Sequence, residues 1–156
     1  TYTRPLLEYA STVWSPSYIT EIFLIESVQR DFTKRIPGLS HLSYHERLSA
    51  LGLQCLEHRR LLADLIMTYN IITGNTCTYN NLFTLSHNHN LRGHQFKISV
   101  PVSKTNFHKH FFSNRIIPAW NSLPNNLVSS PNIKIFKRGL RKIDLNKFLV
   151  FPSVYD

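Results

Sequence analysis

Apolar side chains recur at helical spacing in two long stretches of the chain, residues 20–36 and 56–74. In the first stretch the apolar positions are Ile22, Ile25, Val28, Phe32 and Ile36. In the second they are Leu61, Leu62, Leu65, Ile66, Tyr69 and Ile72. A repeat of three to four residues places such side chains on one face of a helix. The pattern therefore predicts two amphipathic helices whose apolar stripes form the core.

Shorter helices are predicted from the residues that begin and end them. Ser43 and Glu46 have the spacing of a capping box, and Gly52 supplies the stop for the helix that they begin. Ser130-Pro131 predicts the start of a last helix over residues 131–149, because proline is favoured in the first helical turn. This last helix carries an apolar stripe on one side and a cluster of lysines and arginines on the other.

The predicted fold is mainly α, a helical bundle with one short strand or hairpin. The strand is expected near residues 94–102, where apolar and polar residues alternate. Three parts are predicted: a helical part over residues 1–74, a polar loop rich in Asn and His over 75–93, and a basic part over 94–149. The chain also lacks a starting methionine, so we expect it to be a segment of a longer polypeptide.

The positive charge of the chain is concentrated in its second half. The formal net charge is +9, yet residues 1–64 carry seven basic and seven acidic side chains. From Leu65 to Ile143 there are ten lysines and arginines and no carboxylate. A solvated face is the ordinary interpretation of a charge run. The complete absence of acidic residues favours an acidic partner, with nucleic acid first and an anionic membrane surface second.

The usual signatures of catalysis and of metal binding do not occur in the sequence. It has no Asp-Asp pair that would hold two metal ions and no glycine-rich phosphate loop. A zinc site is not expected, because the possible ligands lack the short spacings that preform half a site; they are Cys55, Cys77, His87, His89 and His94. The low cysteine content indicates a reducing intracellular setting, nucleus or cytoplasm, and no segment is apolar enough to span a membrane.

Five stretches, in order, resemble one family. They are "RPLLEYASTVWSP", "IESVQRDFTKRIPGL", "LSYHERLSALGLQCLEHRRLLADLIMTYNIITG", "LRGHQFKISVP" and "FFSNRIIPAWNSLPNNLVSSPNIKIFKRGL". Together they resemble the C-terminal end of the reverse transcriptase encoded by LINE-type (non-LTR) retrotransposons of the jockey-like group. The resemblance covers the chain from about Arg4 to about Leu140.

The resemblance implies a non-catalytic fragment of an RNA-directed DNA polymerase. In that family the polymerase aspartates and the endonuclease domain lie upstream, so no catalytic residue is expected here and the fragment alone is expected to be inactive. The helical part then has a thumb-like role, gripping the RNA and DNA of the template–primer duplex. The remaining parent chain is a second expected partner. The parent polymerase would need Mg²⁺, whereas no cofactor, membrane or small-molecule substrate is expected for the fragment.

The candidate nucleic-acid contacts are basic side chains that suit phosphate binding without sequence preference. They are Arg30, Lys34, Arg59, Arg60, Arg92, His94, Lys97, Arg115, Lys134, Arg138, Arg141 and Lys142. Trp120 and His94 are also candidates for stacking on unpaired bases, although a core position is the favoured interpretation of Trp120. The alternative function is a structural or protein-interaction helical module from a decayed or host-captured element.

Overall fold

The chain is mainly α-helical, as predicted, in the computed structural model, which describes residues 3–74, 82–86 and 93–150. The helices in chain order are α1 (Thr3–Glu8), α2 (Ser11–Trp14), α3 (Ile19–Lys34), α4 (Tyr44–Ala50), α5 (Leu56–Ile72), α6 (Asn106–His110), α7 (Phe112–Arg115), α8 (Ile117–Asn121), α9 (Asn125–Val128) and α10 (Ile133–Leu140). A single 3₁₀ turn follows at Asn146–Phe148.

The contacts within the chain divide it into two compact units. The first unit holds residues 1–60 and 146–156, and the second holds Leu61–Leu145. Helix α5 begins in the first unit and continues in the second. Of the predicted polar loop over residues 75–93, the structure describes only residues 82–86 and 93.

In the first unit, α3 buries a different face from the predicted one. Its buried residues are Ile22, Glu26, Gln29 and Thr33. Phe32 is instead 67% exposed and Val28 39% exposed, so the prediction of an apolar core stripe through Val28 and Phe32 was wrong.

Hydrogen bonds from α4 and from the start of α5 explain why a polar face of α3 is buried. The Glu26 carboxylate accepts the backbone N–H of Leu56 at 2.9 Å and the Tyr44 hydroxyl at 2.5 Å. The Gln29 amide donates to the backbone carbonyl of Gln54 at 3.1 Å. A buried polar group that keeps its hydrogen bonds is tolerated. The partners lie 18 to 30 residues away in the chain, beyond what spacing within one helix reveals.

The predicted capping box of α4 is confirmed. The Ser43 hydroxyl accepts the backbone N–H of Glu46 at 3.3 Å, and the Glu46 carboxylate accepts the backbone N–H of Ser43 at 2.7 Å. Gly52 follows the helix with φ of +60°, a conformation that glycine adopts without strain. Here the local sequence signature was sufficient, because all of the groups involved lie within one helix and its ends.

In the second unit the core is built around three aromatic rings. Tyr69 of α5 stacks on Phe136 of α10 with ring centroids 4.3 Å apart, and Phe136 lies 6.2 Å from the ring of Trp120. The Tyr69 hydroxyl donates to the backbone carbonyl of Ser130 at 2.7 Å. Leu65 is fully buried, as its place in the apolar stripe of α5 predicted.

The strand expected near residues 94–102 is reduced to one antiparallel bridge between Leu85 and Ile98, and the described residues contain no longer strand. Side chains of α8 hold this segment in place of a sheet. The Trp120 indole donates to the backbone carbonyl of Phe96 at 2.9 Å. The amide of Asn121 bonds both the N–H and the carbonyl of Ile98 at 2.9 Å. Backbone groups that lack a neighbouring strand are thus satisfied by a helix.

The last helix is shorter than the predicted span of 131–149. Helix α10 ends at Leu140, and its N-cap is Asn132, whose side chain accepts the backbone N–H of Ile135 at 3.0 Å. The Ser130 hydroxyl donates instead to the carbonyl of Leu127 at 2.6 Å. Asparagine and serine are equally good N-caps, so composition alone did not locate the start.

Candidate nucleic-acid interface

Helix α10 is anchored to the second unit by its apolar side. Phe136 is fully buried and Leu140 is 2% exposed. Gly139 brings the helix close to α9, because a Cβ built at this glycine would lie 2.6 Å from the Leu127 side chain. With this side packed, the opposite side of α10 is left at the surface.

The exposed side of α10 and the turn after it carry five cations. All five are exposed, and they are Lys134, Lys137, Arg138, Arg141 and Lys142. Within the described residues, none of them lies in an ion pair with a carboxylate. Closely spaced positive charges repel one another, and a polyanion bound along the helix relieves that repulsion.

Sequence reasoning missed Lys137, although its spacing placed it beside residues that were selected. It lies three residues after Lys134 and four before Arg141, which is one face of a helix. The helical spacing was therefore the signal that would have identified it.

A second group of exposed basic residues, also missed, lies at α6. Lys104 precedes the helix, and Lys109 lies within it between His108 and His110. Beside them Phe107 is 84% exposed. The signal for this group was the carboxylate-free stretch itself, which includes every one of these residues.

Four of the predicted contacts belong to the first unit, and three of them have partners there. Arg59 forms a bidentate ion pair with Glu8, with Nη2 2.8 Å from Oε2. Arg60 is 3% exposed and interacts electrostatically with Glu26. The guanidinium of Arg30 lies 5.4 Å from the centre of the Tyr44 ring. Lys34 is exposed.

The other predicted contacts outside α10 differ in accessibility. Arg115 forms a bidentate ion pair with Asp64, at 3.0 and 3.2 Å, and Lys97 is half-buried. His94 is 2% exposed and 3.1 Å from the backbone carbonyl of Trp120. Burial lowers the pKa of His94 below its ordinary value, against the opposing effect of this hydrogen bond, so the ring is neutral at pH 7. Arg92 lies outside the described residues.

Trp120 is a core residue, as favoured from sequence. It is fully buried, and its indole N–H is already bonded to a backbone carbonyl. His94 packs against it edge-on, with ring centroids 6.0 Å apart. Neither ring is available in this structure for stacking on a base.

Neither a cluster of possible metal ligands nor a membrane-spanning helix is found among the described residues. No group of three His, Cys, Asp or Glu side chains comes together among them. Cys55 is buried, and burial raises the pKa of its thiol to about 11, so the thiol stays protonated at neutral pH. Cys77, His87 and His89 lie outside the described residues. Among the helices that are described, none has the length and apolar character to cross a bilayer.

A comparison with known proteins finds similarity over part of the chain. An uncharacterized protein from Caenorhabditis elegans is 30% identical to the chain over 76 residues, which is 47% of this chain. The chain spans 38% of that relative's length. No family model matches the chain, and no solved structure matches it. The functional argument therefore rests on the residues and their geometry.

Proposed function

We propose that the chain is a non-catalytic, nucleic-acid-gripping segment of a reverse transcriptase from a LINE-type retrotransposon. In this proposal it binds the template–primer duplex of RNA and DNA through phosphates, within the nucleus or cytoplasm. The parent polymerase supplies the catalytic centre and its Mg²⁺. The ordered sequence resemblance motivates the parentage, and the cations of α10 motivate the contact with nucleic acid.

The observation that carries the binding proposal is the exposure of five cations on and just after α10. These side chains are held at the surface by the burial of Phe136 and Leu140 on the other side of the helix. Exposed lysines and arginines suit phosphate contacts, which supply affinity with little sequence preference. Arg60 and His94 are left out of the proposed interface because they are buried, and Arg59 and Arg115 because carboxylates already hold them.

The test is the salt dependence of binding to an RNA–DNA duplex. Each lysine or arginine that releases a counterion from nucleic acid contributes roughly 0.7 to 0.9 to the slope of log affinity against log salt. The double variant Arg138→Ala/Arg141→Ala is expected to reduce that slope by about 1.4 to 1.8. Affinity is measured by fluorescence anisotropy at several salt concentrations, and far-UV circular dichroism confirms that both proteins are folded.

The matched control is the double variant Arg35→Ala/Lys147→Ala. Arg35 and Lys147 are exposed cations of the first unit, so this variant removes the same charge from a different part of the chain. Its slope should equal that of the unchanged protein. Equal losses in both double variants would mean that net charge alone attracts the duplex, and an unchanged slope for the α10 variant would refute this interface.

A second function, protein interaction, is favoured by the apolar surface of α3. Leu24 is 72% exposed, Phe32 67% and Val28 39%. These residues are four positions apart, so they form one continuous stripe along the helix. A stripe of this kind is typical of a protein-binding surface, and the remaining parent chain is the partner that we propose for it. Binding through this stripe should depend weakly on salt, which distinguishes it from nucleic-acid binding.

A further inference from the structure

A cavity of about 690 Å³ lies in the first unit, beside α4 and the segment that leads into α5. Cavities that hold small molecules in proteins have volumes of about 300–1,000 Å³. The wall includes Arg30 of α3, several residues of α4, and His58 of α5. All residues of this wall belong to the first unit, whereas α10 belongs to the second.

The wall of the cavity is positively charged. Arg30 and Arg47 line it together with His45 and His58, while none of the described lining residues is Asp or Glu. The guanidinium groups of Arg30 and Arg47 are both charged, because arginine is not deprotonated in proteins.

Arg47 is the residue that most needs an anion. Arg47 is only 5% exposed. Its Nε donates to the Thr33 hydroxyl at 3.2 Å, and its Nη1 donates to the backbone carbonyl of Leu42. Both acceptors are neutral, and among the described residues no carboxylate lies within ion-pair distance of Arg47. Buried charges are ordinarily paired with an opposite charge, so this guanidinium is suited to a bound anion.

The two arginines are held on a rigid support. The guanidinium carbons of Arg30 and Arg47 lie 5.4 and 5.6 Å from the centre of the Tyr44 ring. The ring itself is fixed through its hydroxyl, which donates to Glu26 at 2.5 Å and accepts from Gln29 at 3.0 Å. The geometry of the cationic wall is therefore set before a ligand arrives, which reduces the entropy lost on binding.

Glu26 is the acidic group that bonds to the Tyr44 hydroxyl, and it has other partners as well. Its carboxylate accepts the backbone N–H of Leu56, and Arg60 interacts with it electrostatically. Burial raises the pKa of Glu26 above its ordinary value. Glu26 is not among the residues that form the cavity wall.

We propose that this cavity binds a phosphate monoester with an apolar or aromatic body. Two guanidiniums match the charge of a phosphate monoester, which is about −1.5 to −2 at pH 7, better than the single charge of a carboxylate. Leu48, Leu53 and Leu149 supply apolar wall for the body of the ligand. The ester has two possible sources, a free small molecule or the phosphorylated end of a nucleic acid.

The test uses the whole chain and phenyl phosphate as the probe. Nitrogen-15 NMR of the arginine side chains follows the Nε–H signal of Arg47 during the titration. Phenyl phosphate should shift this signal saturably with a Kd near or below about 1 mM. Benzoate should bind about tenfold more weakly because it carries one charge, and phenol should cause no shift. No saturable shift with phenyl phosphate, or the same shift with phenol, overturns the proposal.

Variants locate the site without relying on a buried substitution. Arg30 is half-buried, and Arg30→Ala should weaken phenyl phosphate binding by about tenfold because one charge-assisted hydrogen bond is lost. Arg35→Ala removes an exposed cation that does not line the cavity, and should leave binding unchanged. Equal weakening by both variants would contradict the assignment. The Arg138→Ala/Arg141→Ala variant should bind phenyl phosphate normally, so this proposal and the proposed function fail independently.

A pair of oligonucleotides distinguishes the two sources. If the ligand is a nucleic-acid end, a 5′-phosphorylated tetranucleotide should bind more tightly than phenyl phosphate, and Arg30→Ala should remove its advantage over the 5′-hydroxyl form. If the ligand is a free small molecule, the tetranucleotide should bind no more tightly than phenyl phosphate. Both outcomes require the cavity to recognise the ester. If no phosphate ester shifts the Arg47 signal, the proposed binding site is rejected.

Discussion

Replacing Gly139 by alanine tests whether helix propensity or packing determines the stability of α10. Glycine inside a helix costs about 1 kcal/mol relative to alanine, so propensity alone predicts that the variant is more stable. The structure predicts the opposite. A Cβ at this position would lie 2.6 Å from Cδ1 of Leu127, whereas carbon atoms pack at about 3.5–4.0 Å. Leu127 is 6% exposed, so its methyl group has little room to move.

The expected magnitude follows from these two opposing effects. Forcing an extra methyl group into a packed site costs about 1–3 kcal/mol, and the gain in propensity is about 1 kcal/mol. Gly139→Ala should therefore lower the free energy of unfolding by about 1 kcal/mol. In a Leu127→Ala background the clash is absent, and the same substitution should raise the free energy of unfolding by about 1 kcal/mol. The two positions are then coupled by about 1–3 kcal/mol.

Urea unfolding of the four proteins measures this coupling. Far-UV circular dichroism and tryptophan fluorescence follow the transition, since Trp120 is fully buried in the same unit. Lys137→Ala is the control, because Lys137 is exposed on the same helix and should change stability by less than about 0.5 kcal/mol. If Gly139→Ala stabilises both backgrounds equally, the contact with Leu127 does not constrain α10 and the packing argument is refuted.

Four further substitutions test the core and its charges. Leu65→Ala should cost about 2–5 kcal/mol on urea unfolding because the site is fully buried, whereas exposed Phe32→Ala should cost less than about 0.5 kcal/mol; equal losses would contradict the observed faces. Asp64→Asn should cost about 3 kcal/mol in the same assay, since Arg115 keeps its charge without its carboxylate. Burial raises the pKa of Glu26, so stability should fall as pH rises from about 4.5 through that pKa. Glu26→Gln should remove this part of the pH dependence of Tm. If Tm of the variant and of the unchanged protein depends on pH in the same way, Glu26 is not the group responsible.

The spacing of apolar residues identified the long helices correctly. It was less successful in predicting which side of each helix is buried. In α5 the apolar stripe and the buried side agree at Leu65 and Tyr69. In α3 they disagree, because hydrogen bonds from Tyr44 and from the backbone at Leu56 select the side that carries Glu26. Spacing within one helix shows which residues share a side. The choice between two sides depends on partners elsewhere in the chain.

Pro118 shows that the boundaries of helices are also difficult to predict from local sequence. Proline inside a helix removes a backbone donor and interrupts the helix, so the residue type alone favours an interruption before Trp120. In the structure the segment is divided into α7 and α8, and Pro118 lies in the first turn of α8. A proline there loses no hydrogen bond, because the first turn of a helix has no internal acceptor for its N–H groups. The residue type alone therefore does not show whether a proline interrupts a helix or lies in its first turn, as Pro118 does.

The exposure of the α10 cations, by contrast, follows from counting carboxylates within a unit. The second unit, Leu61–Leu145, holds ten lysines and arginines but only Asp64 and Asp144 as acidic residues. Asp64 is bound by Arg115, so at most one carboxylate remains for the others. A cation without a carboxylate is costly to bury, and most of these side chains must therefore lie in water or against an external anion. In the first unit, acidic residues are almost as numerous as basic ones, and Arg59 is paired with Glu8. Charge balance within each unit thus indicates where cations lack carboxylate partners, and the carboxylate-free stretch from Leu65 to Ile143 already shows this imbalance in the sequence.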